Sequence, residues 1–284
     1  MSGDTFDVDA WLRRIGHTGR REPTLATLRA VIEAHTGTIP FENVDVLLGR
    51  PPKLDLGSLQ QKLVRSSRGG YCFEQNSLLL AGLASLGFRV TGLLARVIRG
   101  MNADASGPAT HMVVRADLPE GAFLADTGFG NQTPTAPLAM VPRVEQDTPH
   151  ETMRLWPVCE ELVLQARFGD DWQNIYRLSP RPCLSADYEV ANWFTATHPA
   201  SIFVNNLIVA RPGPERTRCT FFNGQLAVRR PGGSAEKSRP GGEAEVRATL
   251  ESSFGLILPD ADLTGALEAL ERKGTRGTSH PFFA

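Results

Sequence analysis

Apolar positions recur at helical spacing over residues 9–15 and again over 24–32, so each stretch is predicted to form a helix with one buried side. Asp7 or Asp9 ahead of the first and Thr24 ahead of the second supply the short oxygen-bearing side chain that caps a helix start. A third helix is predicted over residues 75–86, stopped by Gly87. From Arg89 onward the period shortens to that of strands, with runs at 90–98, 111–116, 122–126, 161–166 and 175–178, and the middle third of the chain reads as mainly β. Further on, Pro212-Gly213-Pro214 turns the chain, and Pro231-Gly232-Gly233 and Pro240-Gly241-Gly242 bracket an exposed loop. Residues 243–253 then read as one more amphipathic helix. The stretch 142–157 fits neither period, and the tail 273–284, basic and then aromatic, reads equally as frayed or docked.

Composition narrows what such a chain does. With 284 residues, 41% of them hydrophobic, it has ample material for a buried core of two or three compact units. Thirty basic residues against 31 acidic ones leave a net charge of −1, which recommends neither nucleic acid nor a membrane surface as partner. The first seven residues are acidic and lack an apolar signal core, and no later run approaches the roughly 18 apolar residues of a membrane span. A cytoplasmic protein is expected. Cys72, Cys159, Cys183 and Cys219 are widely spaced with no C-x-x-C pair, which suits neither a zinc site nor a disulfide framework, so no metal is expected.

The chemistry concentrates around Cys72, in Arg68-Gly69-Gly70-Tyr71-Cys72-Phe73-Glu74-Gln75-Asn76, where a glycine turn delivers a thiol to the start of an apolar helical run. The positive end of a helix, or a neighbouring imidazolium, lowers a thiol toward the thiolate and makes it a nucleophile. A small buried hydrophobe would look the same if Cys72 stood alone, so its partners matter.

Two partners lie downstream, in Thr110-His111-Met112-Val113 and Leu124-Ala125-Asp126-Thr127-Gly128. Leu118-Pro119-Glu120-Gly121 between these runs signals a turn and hence an antiparallel hairpin. If Asp117 pairs with Ala122, then Val113 faces Asp126 and His111 faces Gly128. His111 and Asp126 then share one face as diagonal neighbours, roughly 7–8 Å apart, a gap that an imidazole and a carboxylate close with a hydrogen bond. A base that takes the thiol proton and a carboxylate that fixes its tautomer complete a nucleophilic triad.

With these residues in view, the chain resembles the arylamine N-acetyltransferases of prokaryotic type, acetyl-CoA-dependent enzymes with a Cys-His-Asp triad. The resemblance runs through Ile39-Pro40-Phe41-Glu42-Asn43-Val44-Asp45, the cysteine segment, Thr110-His111, Asp126-Thr127-Gly128-Phe129-Gly130, and Asn192-Trp193-Phe194-Thr195-Ala196-Thr197-His198-Pro199 leading to Ser201-Ile202-Phe203-Val204-Asn205-Asn206. It implies an α+β fold with a cysteine-protease or transglutaminase-like catalytic core. Three parts are implied: a helical bundle at 1–88 carrying Cys72, a β-barrel at 89–200 carrying His111 and Asp126, and an α/β lid at 201–284. It also implies ping-pong transfer of acetyl from acetyl-CoA through an acetyl-Cys72 thioester to arylamines, arylhydrazines or N-hydroxyarylamines, as in xenobiotic metabolism.

An aromatic acceptor needs flat apolar walls beside the thioester. Phe41, Phe129 and Phe203 match acceptor-pocket positions of the family, with Tyr71 and Val97 beside them. Gly128, Gly130 and Phe203 are the expected coenzyme A contacts, since Gly128-Phe129-Gly130 offers backbone N–H groups to anionic oxygens. Arg68 reads as an ion-pair anchor for the nucleophile segment. Two other readings stay open: a cysteine hydrolase or transglutaminase-like acyltransferase with the same triad, and a catalytically silent coenzyme A-binding module.

Overall fold

The computed structural model describes residues 5–231 and 234–278. The readings of the first four residues, of Gly232-Gly233 and of the aromatic end of the tail lie outside the described residues.

The chain starts with α1 (Val8–Arg14) and α2 (Leu25–Thr38), capped by the Asp7 side chain on Ala10 N–H at 2.9 Å and by Thr24 on Thr27 N–H at 3.3 Å. A short strand β1 (Phe41–Glu42) and the brief helices α3 (Val44–Leu47) and α4 (Leu56–Leu59) follow, the last running into a π-helical turn at Gln60–Arg65. Next comes α5 (Cys72–Ser85), which begins three residues earlier than its apolar pattern suggests because Glu74, Gln75 and Asn76 are buried polar residues of its first turns. Trp11 of α1 lies over Gly82 of α5, where a Cβ would come within 2.4 Å of the indole ring.

The barrel strands are β2 (Arg89–Val97), β3 (Ala109–Leu118), β4 (Gly121–Ala125), β5 (Leu138–Ala139), β6 (Gln146–Asp147), β7 (Thr152–Val158), β8 (Glu161–Phe168) and β9 (Asp171–Leu178). They form one sheet in the order β5-β4-β3-β2-β9-β8-β7-β6 that nearly closes on itself. At the seam the Gln146 side-chain amide donates to Ala139 O at 2.9 Å and accepts from Ala139 N at 2.7 Å, standing in for a strand between the two edges. Alternation along β3 and β4 sorts the faces. Val113 and Leu124 point into the barrel core with Leu93, Leu164 and Tyr176, while Val114, Ala116, Phe123 and Ala125 pack outward on Leu28, Leu79 and Leu83 of the helices.

After α6 (Ser185–Thr197) and α7 (Ile202–Asn205), the strands β10 (Ile208–Pro212), β11 (Arg218–Phe222), β12 (Gln225–Arg229) and β13 (Ala235–Ser238) make a second antiparallel sheet. Helices α8 (Glu243–Phe254) and α9 (Asp260–Arg272) bury Val246, Leu250, Phe254 and Leu263 against it. β1 joins this sheet beside β10, with Phe41 opposite Ala210, so the segment ahead of the nucleophile is edged onto the C-terminal strands. The bracketed loop expected at 231–242 carries β13, and the formless stretch 142–157 carries β6 and most of β7. At the tail, Thr278 Oγ1 accepts from Asn223 Nδ2 at 2.8 Å, so its first residues are docked.

The two sheets are bolted together at His150-Glu151. His150 Nε2–H donates to Gly213 O at 3.1 Å, which leaves Nδ1, 3.0 Å from Thr135 Oγ1, to accept the Thr hydroxyl. Glu151 accepts from Arg218 Nε at 3.1 Å and Arg229 Nη2 at 2.9 Å, and Arg218 is only 1% exposed. Removing one partner of such a buried pair costs about 3–5 kcal/mol, because the other charge stays buried alone. Glu151→Ala is therefore expected to lower unfolding free energy by about that much in urea denaturation; an unchanged midpoint would show that the bolt carries no load.

Candidate active site

α5 delivers Cys72 as its first residue, with Tyr71 as N-cap. The glycines before it are required by close approach: a Cβ on Gly69 would lie 2.1 Å from Pro40 O, and one on Gly70 would lie 2.9 Å from Glu74 Cβ. That closeness lets the chain form two strand-like bonds, Gly70 N–H to Pro40 O at 3.3 Å and Glu42 N–H to Gly70 O at 3.2 Å. Arg68 is a buried ion-pair anchor, with Nη2 2.8 Å from Glu42 and Nη1 3.3 Å from Asp262 of α9.

The hairpin has the expected register. Asp117 pairs with Ala122, Arg115 with Leu124 and Val114 with Ala125, although Leu118 also pairs with Gly121, so the loop is only Pro119-Glu120. The ladder stops at Val114–Ala125, one step short of the pair that would face Val113 with Asp126. His111 and Asp126 nevertheless continue the barrel-facing rows of Val113 and Leu124, and His111 Nε2 lies 2.8 Å from Asp126 Oδ2. Asp126 is fully enclosed, and burial alone would raise its carboxyl. The His111 charge and the bonds from His111, from Asn76 Nδ2 at 2.8 Å and from Gly128 N–H at 2.9 Å together outweigh this and hold it below the ordinary carboxylate range.

Cys72 is 4% exposed, and its thiol points at Thr110 O, 3.7 Å away, next in the chain to His111. The sequence leads one to expect a thiol lowered by its helix start. Burial instead raises it, opposed by backbone hydrogen bonds from Met112 and Phe73, while Asp126 and Glu74 push it up further. The helix-start donor at Phe73 is there, but desolvation outweighs it.

Phe41, Tyr71 and Phe203 gather in one apolar cluster with Cys72, the ring of Phe203 lying 5.9 Å from Phe41 and 5.8 Å from Tyr71. Phe129 stands edge-on to His111 at 5.1 Å. Val97 faces Tyr176 across β2–β9 and shares its face of the sheet, but is 41% exposed, at the rim rather than in the cluster. Gly130, at φ +83°, presses on the Phe41 ring, where a Cβ would come within 3.3 Å. Gly128 departs from its expected role: its N–H is engaged by Asp126, and the space beside it is filled by Cys72 Cα and Asn76 Nδ2, each 2.8 Å from where a Cβ would stand. Its freedom serves the approach of the Asp126 turn to the nucleophile, not a free anion donor.

Three residues without an assigned role in the sequence reading build this site. Asn76, one turn after Cys72, donates to Met112 O at 2.7 Å and to Asp126, and accepts from Thr127 N–H at 3.0 Å, tying α5 to both strands of the hairpin. Asn43 donates to Phe203 O at 2.7 Å and Asn206 O at 2.8 Å, and so fixes the segment bearing Phe203. The Tyr176 ring, from β9, lies tilted at 4.9 Å from His111 and 5.3 Å from Phe129. The signal for Asn76 was its spacing of four from Cys72, which puts both on one helix face; Tyr176 had no local signal.

A family model described as N-acetyltransferase matches residues 24–263. The arylamine N-acetyltransferase of Mycobacterium tuberculosis is 41% identical over 267 residues, spanning 93% of this chain and 94% of its own. The chain belongs to the arylamine N-acetyltransferase family. Members of this family are acyltransferases. An enzyme of Salmonella typhimurium named arylamine N-acetyltransferase / N-hydroxyarylamine O-acetyltransferase is 36% identical over 238 residues, 84% of each chain. The solved structure of the Mycobacterium marinum arylamine N-acetyltransferase in complex with CoA superposes with a TM-score of 0.85 at 39% identity, covering 94% of this chain and 98% of that one. The α+β fold with its barrel-like sheet is that of the family.

With a methyl placed 2.8 Å from Cys72 Cα, Gly128→Ala has to push the nucleophile turn away from His111. Overpacking of this kind costs about 1–3 kcal/mol, and a 1 Å displacement about 100-fold in rate. Loss of acyl transfer well beyond any fall in melting temperature is expected; full activity would remove the close-packing requirement.

Proposed function

We propose that Cys72, His111 and Asp126 act as one triad that moves an acetyl group from acetyl-CoA to arylamines, arylhydrazines or N-hydroxyarylamines. The observation that carries this reading is the 2.8 Å His111–Asp126 bond beside an enclosed Cys72. With Nε2 held by Asp126, Nδ1 is the nitrogen that takes the thiol proton. The Cys72 sulfur attacks the thioester carbonyl, and the tetrahedral intermediate collapses with cleavage of the bond to the coenzyme sulfur. His111 returns its proton to that leaving thiolate. In the second half the amine attacks the acetyl-Cys72 carbonyl, His111 takes the amine proton, and the Cys72 sulfur leaves. Arylamines are neutral near neutral pH, so their nitrogen lone pair is available for attack.

The coenzyme A complex of the Mycobacterium marinum relative supports the donor, and the Salmonella relative's name supports N-hydroxyarylamines among the acceptors. Phe41, Phe129 and Phe203 serve as acceptor walls, with Tyr71 behind them and Val97 at the rim. Gly130 and Phe203 line the donor path. Enclosure of the sulfur favours transfer over hydrolysis, since a dry pocket keeps water from the thioester.

Initial rates at varied acetyl-CoA and arylamine are expected to give the parallel double-reciprocal lines of a ping-pong path, and Cys72→Ala is expected to abolish them; retained turnover would exclude a covalent route. Because burial raises the thiol and a base has to take its proton, His111→Gln is expected to slow both acetylation and iodoacetamide labelling of Cys72 near neutral pH by about 100-fold or more. Labelling at the wild-type rate would detach His111 from the nucleophile. Phe129→Ala is expected to raise acceptor KM before it affects hydrolysis of acetyl-CoA, and equal losses in both would point to a damaged fold instead.

A further inference from the structure

The N-terminus of α5 has no side-chain cap of the usual kind, because Tyr71 occupies the N-cap and its hydroxyl is engaged far away by Asn192. The N–H of Tyr71 is held instead by Glu74, whose Oε2 accepts it at 3.1 Å from one turn further on. The other oxygen, Oε1, accepts from Lys62 Nζ at 2.8 Å. Lys62 comes from the π-helical turn and also meets Asp45 at 2.7 Å and Glu42 at 3.7 Å. Gly70 makes the fold-back possible, since a Cβ there would lie 2.9 Å from Glu74 Oε2. Beside this contact lies a cavity of about 710 Å³, lined by Glu74, Lys62, Arg68, Asp45 and Arg50 and by none of Cys72, His111 and Asp126.

We infer that Glu74, clamped by Lys62, is a positioning residue for the nucleophile: its carboxylate holds the Gly70-Tyr71 peptide that leads into Cys72 and so sets where the Cys72 sulfur stands relative to His111. The inference rests on the proposed role of Cys72. Only Phe73 separates Glu74 from Cys72 in the chain, and the bond it makes is to the N–H of Tyr71, the residue before Cys72. The charged groups facing Glu74 come from every neighbouring element: Lys62 from the π-helical turn, Glu42 from β1, Asp45 from α3, Arg68 from the glycine turn, and Asp262 of α9 and Arg50 through Arg68 and Asp45. Burial, only partly offset by Lys62 and reinforced by Glu42, lifts the Glu74 carboxyl to about 7. Above that pH both oxygens accept; below it one oxygen carries a proton and the clamp loosens. The contribution is thus present in the alkaline range and lost as pH falls through neutrality.

The test uses the full chain, with iodoacetamide labelling of Cys72 and release of coenzyme A from acetyl-CoA both followed across pH, and circular dichroism to establish folding. Glu74→Gln is expected to slow both reactions by about 10- to 100-fold, with donor KM unchanged, and to erase the inflection near neutrality. Lys62→Met leaves Glu74 among Glu42 and Asp45 without its nearest cation, so that inflection is expected to move to higher pH. Wild-type rates and an unchanged profile in Glu74→Gln, or an unmoved inflection in Lys62→Met, would overturn the inference. If Glu74→Gln does not fold, Lys62→Met decides alone. Labelling needs no acyl donor, so a wild-type protein that labels as expected but never releases coenzyme A would defeat the functional reading and leave the positioning role standing.

Discussion

Three consecutive buried polar side chains, Glu74, Gln75 and Asn76, hold the structure's parts to one helix. At about 100° per residue they point in three directions, and each is bonded to a different region. Glu74 reaches Lys62 and the turn before Cys72. Gln75 Nε2 donates to Pro40 O at 2.8 Å while its oxygen lies 2.7 Å from His35 Nε2 of α2. Asn76 spans the β3–β4 hairpin. An unsatisfied polar group at such depth costs about 1–3 kcal/mol, so no one of these regions can shift without leaving a partner stranded. The placement of Cys72, His111 and Asp126 is therefore a consequence of packing α5 against the hairpin.

The balance at Cys72 follows from the same enclosure. A helix start favours a thiolate, but a site dry enough to protect a thioester also removes water from the sulfur, and desolvation is the larger effect. In the proposed triad the His111 imidazole, oriented by an Asp126 whose carboxylate is secured by Asn76 and Gly128 N–H, is what makes a charged sulfur tolerable there.

Much of this was legible in local sequence. The Leu118-Pro119-Glu120-Gly121 turn signal, with Asp117 paired to Ala122, fixed the hairpin register, and strand alternation then put His111 and Asp126 on one face, a deduction that needs only period two. The α5 start was harder, because Glu74, Gln75 and Asn76 break the apolar pattern that marks a buried helix. Some of the elements left unread lack clear local signals: β7 contains Pro157 near its end, α6 exposes Val190 and Trp193, and β13 is a largely exposed edge between glycine-rich turns. Tyr176 reaches the site only through the pairing of β9 with β2, a long-range contact that no spacing in the chain encodes. Gly128 looked like a ligand-facing glycine because sequence records that a close approach is needed, but not which atoms approach.

The central claim is that Cys72 carries the acetyl group between donor and acceptor. Intact-protein mass after mixing with acetyl-CoA alone, followed by addition of an arylamine, tests it most directly. The account predicts a gain of one acetyl group, mapped to Cys72 by peptide analysis and discharged by the amine. No adduct, or one that water discharges as fast as the amine does, would contradict it.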